Sequence, residues 1–120
     1  MHQIIFYSDR HGREPVDEYI KELEAQNTKD ARIRLTKIRA YVKALSNNGL
    51  PLTVELCKHL DGDIWELRPT KDRVFFAGWI NGAFVLLHCY EKKTQKTPRR
   101  EIDQAKREFA DFKERWNQNG

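Results

Sequence analysis

The sequence predicts an α+β domain in the order β-α-α-β-β-β-α. Three observations carry that expectation. Two consecutive segments between Pro15 and Leu45 space their apolar residues at helical intervals. An Asn81-Gly82 pair separates two runs of strand-forming residues, the strongest short-range hairpin signal. Ile102, Ala105, Phe109, Phe112 and Trp116 then form one apolar stripe at spacings of three and four. Strands grouped in a meander, with helices before and after, describe an antiparallel sheet with two N-terminal helices on one face and an amphipathic C-terminal helix.

Gln3 to Tyr7 (QIIFY) is short, apolar and rich in β-formers, so it reads as a strand. A polar loop follows from Ser8 to Arg13. Pro15 suits the first helical position, where its missing N–H costs nothing, and Val16, Tyr19, Ile20 and Leu23 supply a helix face. Gln26 and Asn27 end that helix. Thr28 is placed to cap a second, whose apolar positions are Ala31, Leu35, Ile38, Tyr41, Val42 and Leu45 and which stops near Asn47-Asn48-Gly49. Ile64 to Arg68, Arg73 to Ile80 and Ala83 to Tyr90 read as three strands, joined by turns at Pro69–Asp72 and Asn81-Gly82. Thr97-Pro98 opens the final helix. No linker or internal repeat divides the chain, so one domain spans residues 1–120.

The composition bounds the function classes. Of 120 residues, 39% are hydrophobic, 33% charged and 11% aromatic, a balance that argues against disorder. No apolar run approaches the ~20 residues of a membrane span, and the first residues turn polar too soon for a signal peptide. Lys and Arg exceed Asp and Glu by 22 to 18, a modest excess that permits nucleic acid as a partner. Cys57 and Cys89 show no metal or redox spacing, which fits reduced thiols and a cytoplasmic location.

The hairpin register is the most informative inference. A two-residue Asn81-Gly82 loop pairs Trp79 with Phe84, Ala77 with Leu86, Phe75 with His88 and Arg73 with Tyr90. If the Pro69–Asp72 turn pairs Arg68 with Arg73, one face carries Glu66, Arg68, Arg73, His88 and Tyr90 near one end of the sheet. The opposite face carries Trp65, Leu67, Val74, Phe76, Val85, Leu87 and Cys89, as a core requires. Two cross-strand arginines repel unless an anion lies between them. They describe a phosphate site with Tyr90 beside it to stack on a base, or a solvated face neutralised by Glu66 and other carboxylates.

The segment from Tyr90 to Arg100 adds five cations and one acid. Arg99 and Arg100 fall in the first turn of the last helix, where the macrodipole disfavours cations and a bound phosphate would reconcile them. Other patterns are weaker. Asp61-Gly62-Asp63 lacks the remaining ligands of a cation loop and suits a turn. The four histidines show no metal spacing, and no nucleotide-binding fingerprint is present. Trp65 and Trp116 read as core aromatics.

The stretch from Lys58 to Ala105 resembles the RelE/ParE superfamily of toxin–antitoxin toxins, in its phage-derived HigB-like branch. The resemblance rests on Lys58-His59-Leu60, Ile64-Trp65-Glu66-Leu67-Arg68, Arg73, Leu86-Leu87-His88, Lys92 to Pro98 (KKTQKTP), Glu101, Ile102 and Ala105. It implies a ribosome-dependent endoribonuclease that cuts mRNA in the A site, without metal or other cofactor, by attack of the 2′-hydroxyl on the scissile phosphate. It also implies a helix-turn-helix antitoxin, HigA-like, in a toxin–antitoxin complex. On this resemblance Arg68 and Arg73 clamp the phosphate. Lys92 and Lys93 belong to the catalytic basic segment, and a lysine crowded by cations moves towards a base's range. His88 or Tyr90 supplies the acid or the stacking surface. Lys58, Lys96, Arg99 and Arg100 hold RNA phosphates. Unlike the best-known RelE pattern, this chain has no tyrosine after the final helix, so acid and base stay unassigned here.

Two other activities are compatible with the same residues. ParE-like members act on DNA gyrase without cutting RNA, and the clustered cations beside Tyr90 favour RNA over that. A non-catalytic basic module would use nearly the same face for binding alone.

Overall fold

The computed structural model describes residues 1–50 and 54–119. Strand β1 spans Ile4–Phe6, helix α1 Pro15–Ala25 and helix α2 Lys29–Asn48. A 3₁₀ turn at Val54–Leu56 leads into β2 (Cys57–Asp61), β3 (Ile64–Leu67), β4 (Asp72–Gly78) and β5 (Phe84–Glu91). Helix α3, Arg99–Asn119, follows. The α+β class and the placing of the helices agree with the sequence.

Local signals act as expected at the helix ends. Pro15 occupies the start of α1. The Thr28 hydroxyl accepts from the Ala31 N–H at 3.1 Å, and α2 stops where the Gly49 N–H reaches the Leu45 carbonyl at 2.9 Å.

The sheet has five strands in the order β1-β5-β4-β3-β2, and two features were not legible. Strand β1 runs parallel to β5, pairing Ile4 with Phe84 and Phe6 with Leu86, so the sheet is mixed. Strand β2 is additional. Its sequence, Cys57-Lys58-His59-Leu60-Asp61, is too polar to stand out, as suits an edge that must discourage further pairing.

The Asn81-Gly82 turn forms, with φ of 58° and 73° and the Ala83 N–H on the Ile80 carbonyl at 3.2 Å. The ladder beyond it departs from the expected register. The Trp79 N–H donates to the Ala83 carbonyl, and Gly78 pairs with Phe84, Ala77 with Val85 and Phe76 with Leu86. A bulge then places both Leu87 and His88 against Phe75. The expected register returns at Val74–Cys89 and Arg73–Tyr90. A one-residue slip exchanges faces, so Val85 and Leu87 lie on the side of Phe75, opposite to the expectation.

Both faces of the sheet are covered. Val16 and Leu23 of α1 and Ala31, Leu35, Ile38 and Leu45 of α2 pack on Leu67, Val74, Phe76, Phe84 and Leu86. Ile102, Ala105 and Phe109 of α3 pack on Ile64, Phe75, Ala77, Val85 and Leu87. Phe112 is only partly buried and Trp116 is 42% exposed, so the stripe leaves the core at its end; Trp116 is not a core aromatic. No described helix is long and apolar enough to cross a membrane.

Candidate active site

Helix α3 begins at Arg99, so the sheet face beneath it is not covered to its end. There β3 presents Glu66, Arg68 follows the end of β3, β4 presents Arg73 and β5 presents Tyr90. The loop from Lys92 to Thr97 closes over them. The resulting recess is lined by Glu66, Arg68, Arg73, Tyr90, Lys92, Thr94, Gln95 and Thr97.

Glu66 is its centre. The residue is 1% exposed, and its carboxylate accepts the Thr97 hydroxyl at 3.0 and 3.2 Å. The Nε atoms of Arg68 and Arg73 lie 3.7 and 4.0 Å from its Oε1. A carboxylate so deeply buried needs such partners. The two arginines are not equivalent. Arg73 is buried, and its Nη1 donates to the carbonyls of Thr70 at 3.0 Å and Asp72 at 2.9 Å. Arg68 keeps 41% of its side chain in solvent and can meet an incoming anion.

Tyr90 stacks on Phe75 with ring centroids 5.6 Å apart and planes within 13°. Burial raises its phenol above the usual range despite the opposing hydrogen bond with Thr97, so it remains a neutral donor at neutral pH. Lys58 pairs with Glu66 across β2 and β3, which places it on the same sheet face with its side chain exposed.

Other expected site residues lie elsewhere. His88 is 4% exposed beneath α3, with Nδ1 2.6 Å from Glu108 Oε1 and Nε2 2.9 Å from Glu101 Oε1. Burial pulls its pKa down, but the two carboxylates, Glu108 foremost, outweigh that and raise it. Both nitrogens are engaged, so His88 ties helix to sheet and does not line the recess. Lys93 and Lys96 are exposed on the loop, also outside the lining. Arg99 bonds Asp61 at 2.9 Å and Asp103 at 3.1 Å, and Arg100 is exposed with Nε 3.9 Å from Glu101. Carboxylates of the chain thus offset the cations that the sequence reading set against a phosphate. Lys106 and Arg99 in turn hold the Asp61 carboxyl below its usual range.

The structure therefore gathers Arg68, Arg73, Tyr90 and Lys92 and adds Glu66, Thr94, Gln95 and Thr97. Glu66 was visible on the polar face as a counter-charge. Thr97 was legible only as the residue before a helix, because its reach back to β3 is a long-range contact. Two guanidinium groups around one carboxylate leave the recess positive, with the Tyr90 hydroxyl and the Lys92 side chain beside them. Among the described residues no three His, Cys, Asp or Glu side chains are grouped to hold a metal ion.

A family model described as phage derived protein Gp49-like (DUF891) matches residues 18–110. The chain belongs to that family. Gp49-like proteins are a RelE-like toxin family, and the matched span contains the whole recess. It also includes α2, the four strands β2 to β5 and most of α3, leaving β1 outside. No curated protein matches the chain.

Proposed function

We propose that this Gp49-like protein is a HigB-like toxin that cleaves translated mRNA on the ribosome. The observation that supports this reading is the cationic recess around Glu66, open to solvent through Arg68 and floored by the stacked Tyr90 ring. On this reading Arg68 meets the RNA phosphate at the mouth of the recess, with Arg73 adding positive field from beneath. Fixed cations at a phosphate stabilise the charge that develops as the bond to the leaving oxygen breaks. The 2′-hydroxyl oxygen attacks phosphorus and the P–O5′ bond breaks. The Lys92 side chain acts as the base and takes the 2′-proton, and Tyr90 donates its proton to the departing 5′-oxygen. The products are a cyclic phosphate and a free 5′-hydroxyl. On the same reading the protein acts in the cytoplasm and is neutralised by a helix-turn-helix antitoxin.

Induced expression followed by mapping of transcript 5′ ends tests the activity. Cuts in phase with codons are the expected result. Intact RNA with accumulating DNA breaks would point to gyrase, and intact RNA without breaks to a binding module. Lys92→Arg tests the base, because arginine stays protonated and cannot accept the proton. Cleavage should be lost, and a variant cutting at the wild-type rate would remove Lys92 from that role.

A further inference from the structure

Behind the recess, on the face covered by α1 and α2, lies a buried ionic network. Asp72 is fully buried. It accepts Arg34 Nε at 3.1 Å, Arg34 Nη2 at 2.6 Å and the Tyr19 hydroxyl at 2.5 Å. Arg34 comes from the apolar stripe of α2, between Ala31 and Ile38, and its Nη2 also lies 3.4 Å from Glu91. A forked guanidinium holds a carboxylate in a fixed plane, which an ammonium cannot do.

Asp72 closes the turn that starts at Pro69, with its N–H on the Pro69 carbonyl at 2.9 Å. Thr70 in this turn has a φ of 42°, a conformation that persists only when the surroundings over-determine it. Three carbonyls of the turn serve the recess. Those of Thr70 and Asp72 hold the Arg73 guanidinium, and that of Lys71 accepts the Lys92 N–H at 2.7 Å. Two recess cations are thus fixed to one turn, and the turn is fixed to α2.

We propose that Arg34 is a positioning residue: through Asp72 it locks the Pro69–Asp72 turn and so sets the places of Arg73 and Lys92 from the opposite side of the sheet. The inference rests on the RNA-cleavage reading for its effect on activity, but the coupling it describes is structural and is tested separately. Displacing reacting groups by about 1 Å can cost on the order of 100-fold in rate.

The test uses Arg34→Lys, Asp72→Asn and the milder Tyr19→Phe, with Ile38→Val as a control that loosens α2 without touching the pair. Amide hydrogen exchange at Lys92 is read against Ala77 and Val85, which are paired within the same two strands. In Arg34→Lys and Asp72→Asn, Lys92 should exchange at least about tenfold faster while Ala77 and Val85 hold. Tyr19→Phe should show a smaller effect of the same kind, which keeps the test available if the stronger variants fail to fold. On ribosomes, Arg34→Lys should lower kcat on the order of 100-fold, and Ile38→Val should leave it unchanged. Selective exchange at Lys92 in a protein that proves not to cut RNA would uphold the coupling and defeat the activity reading. Unchanged or uniform exchange in folded variants, Tyr19→Phe included, would overturn the positioning role.

Discussion

The two ends of the sheet face under α3 are built from the same strands and have opposite characters. At the β4–β5 hairpin, Trp79 meets Phe109, Phe112 and Trp116 edge-on with ring centroids 5.8, 5.1 and 5.8 Å apart. At the other end, beyond the start of α3, Glu66 sits among Arg68, Arg73 and Thr97. The aromatic end packs ring against ring over buried Phe109 and so contributes to stability. The ionic end leaves Arg68 in water and so is available to a ligand. Substitutions at the first should therefore read out as unfolding and at the second as activity.

The sharpest break of that contrast comes from the aromatic end. Phe109 is 5% exposed, and Phe109→Ala should cost roughly 3–5 kcal/mol by emptying a packed site. Denaturant titration checks it, and an unchanged midpoint would show that this stripe carries no stability. Arg68→Ala should do the opposite, with RNA cleavage falling on the order of 100- to 1,000-fold and little change in unfolding. Growth inhibition at matched expression reads this out. Arg73→Ala is a less clean probe, because it also strips a partner from buried Glu66 and should destabilise as well.

Between the ends lies His88, and it should respond to pH. Its folded pKa is raised above the unfolded value near 6.5, so its stabilising effect is complete below about pH 6.5 and is lost as pH rises through the folded pKa. Thermal midpoints should fall over that window, and His88→Gln should flatten the slope there. The smallest effect belongs to the exposed loop lysines. Lys93→Ala and Lys96→Ala should each weaken RNA binding and reduce its log–log salt slope by about 1 without abolishing cleavage. A loss of cleavage as complete as that of Arg68→Ala would move the boundary of the site outward along the loop.

The parts of this arrangement that the sequence exposed share a physical cause. Helix caps, the positive-φ Asn81-Gly82 pair and the α3 stripe depend on neighbours within a few residues; the caps and the pair form as read, and the stripe packs as read from Ile102 to Phe109. The Arg73–Tyr90 pairing was also legible, although the ladder between it and the turn slips by one. The bulge at Leu87 and His88 cancels that slip, and nothing in a run as uniformly apolar as Phe84 to Leu87 marks where the extra residue goes. His88 was expected at the phosphate because period-two counting put it on the correct face. Its partners, Glu101 and Glu108, lie 13 and 20 residues on and belong to another element. Arg34 was hidden for a similar reason. A charge inside an apolar stripe signals a buried partner, but Asp72 lies 38 residues away and is identified only by the fold.

The parallel strand β1 carries a consequence for synthesis. Its residues 4–6 pair with residues 84–86, so the segment that leaves the ribosome early has no sheet to join until β5 has emerged. Contacts this distant in sequence are slow to close. The recess also depends on Thr97, which is made later still, whereas Arg34 and Asp72 can meet beforehand. During translation the chain therefore passes through a stage in which its α-hairpin can dock on β4 while the cationic end is unfinished. A chain assembled in this order gains its cationic recess only in the last part of its own synthesis.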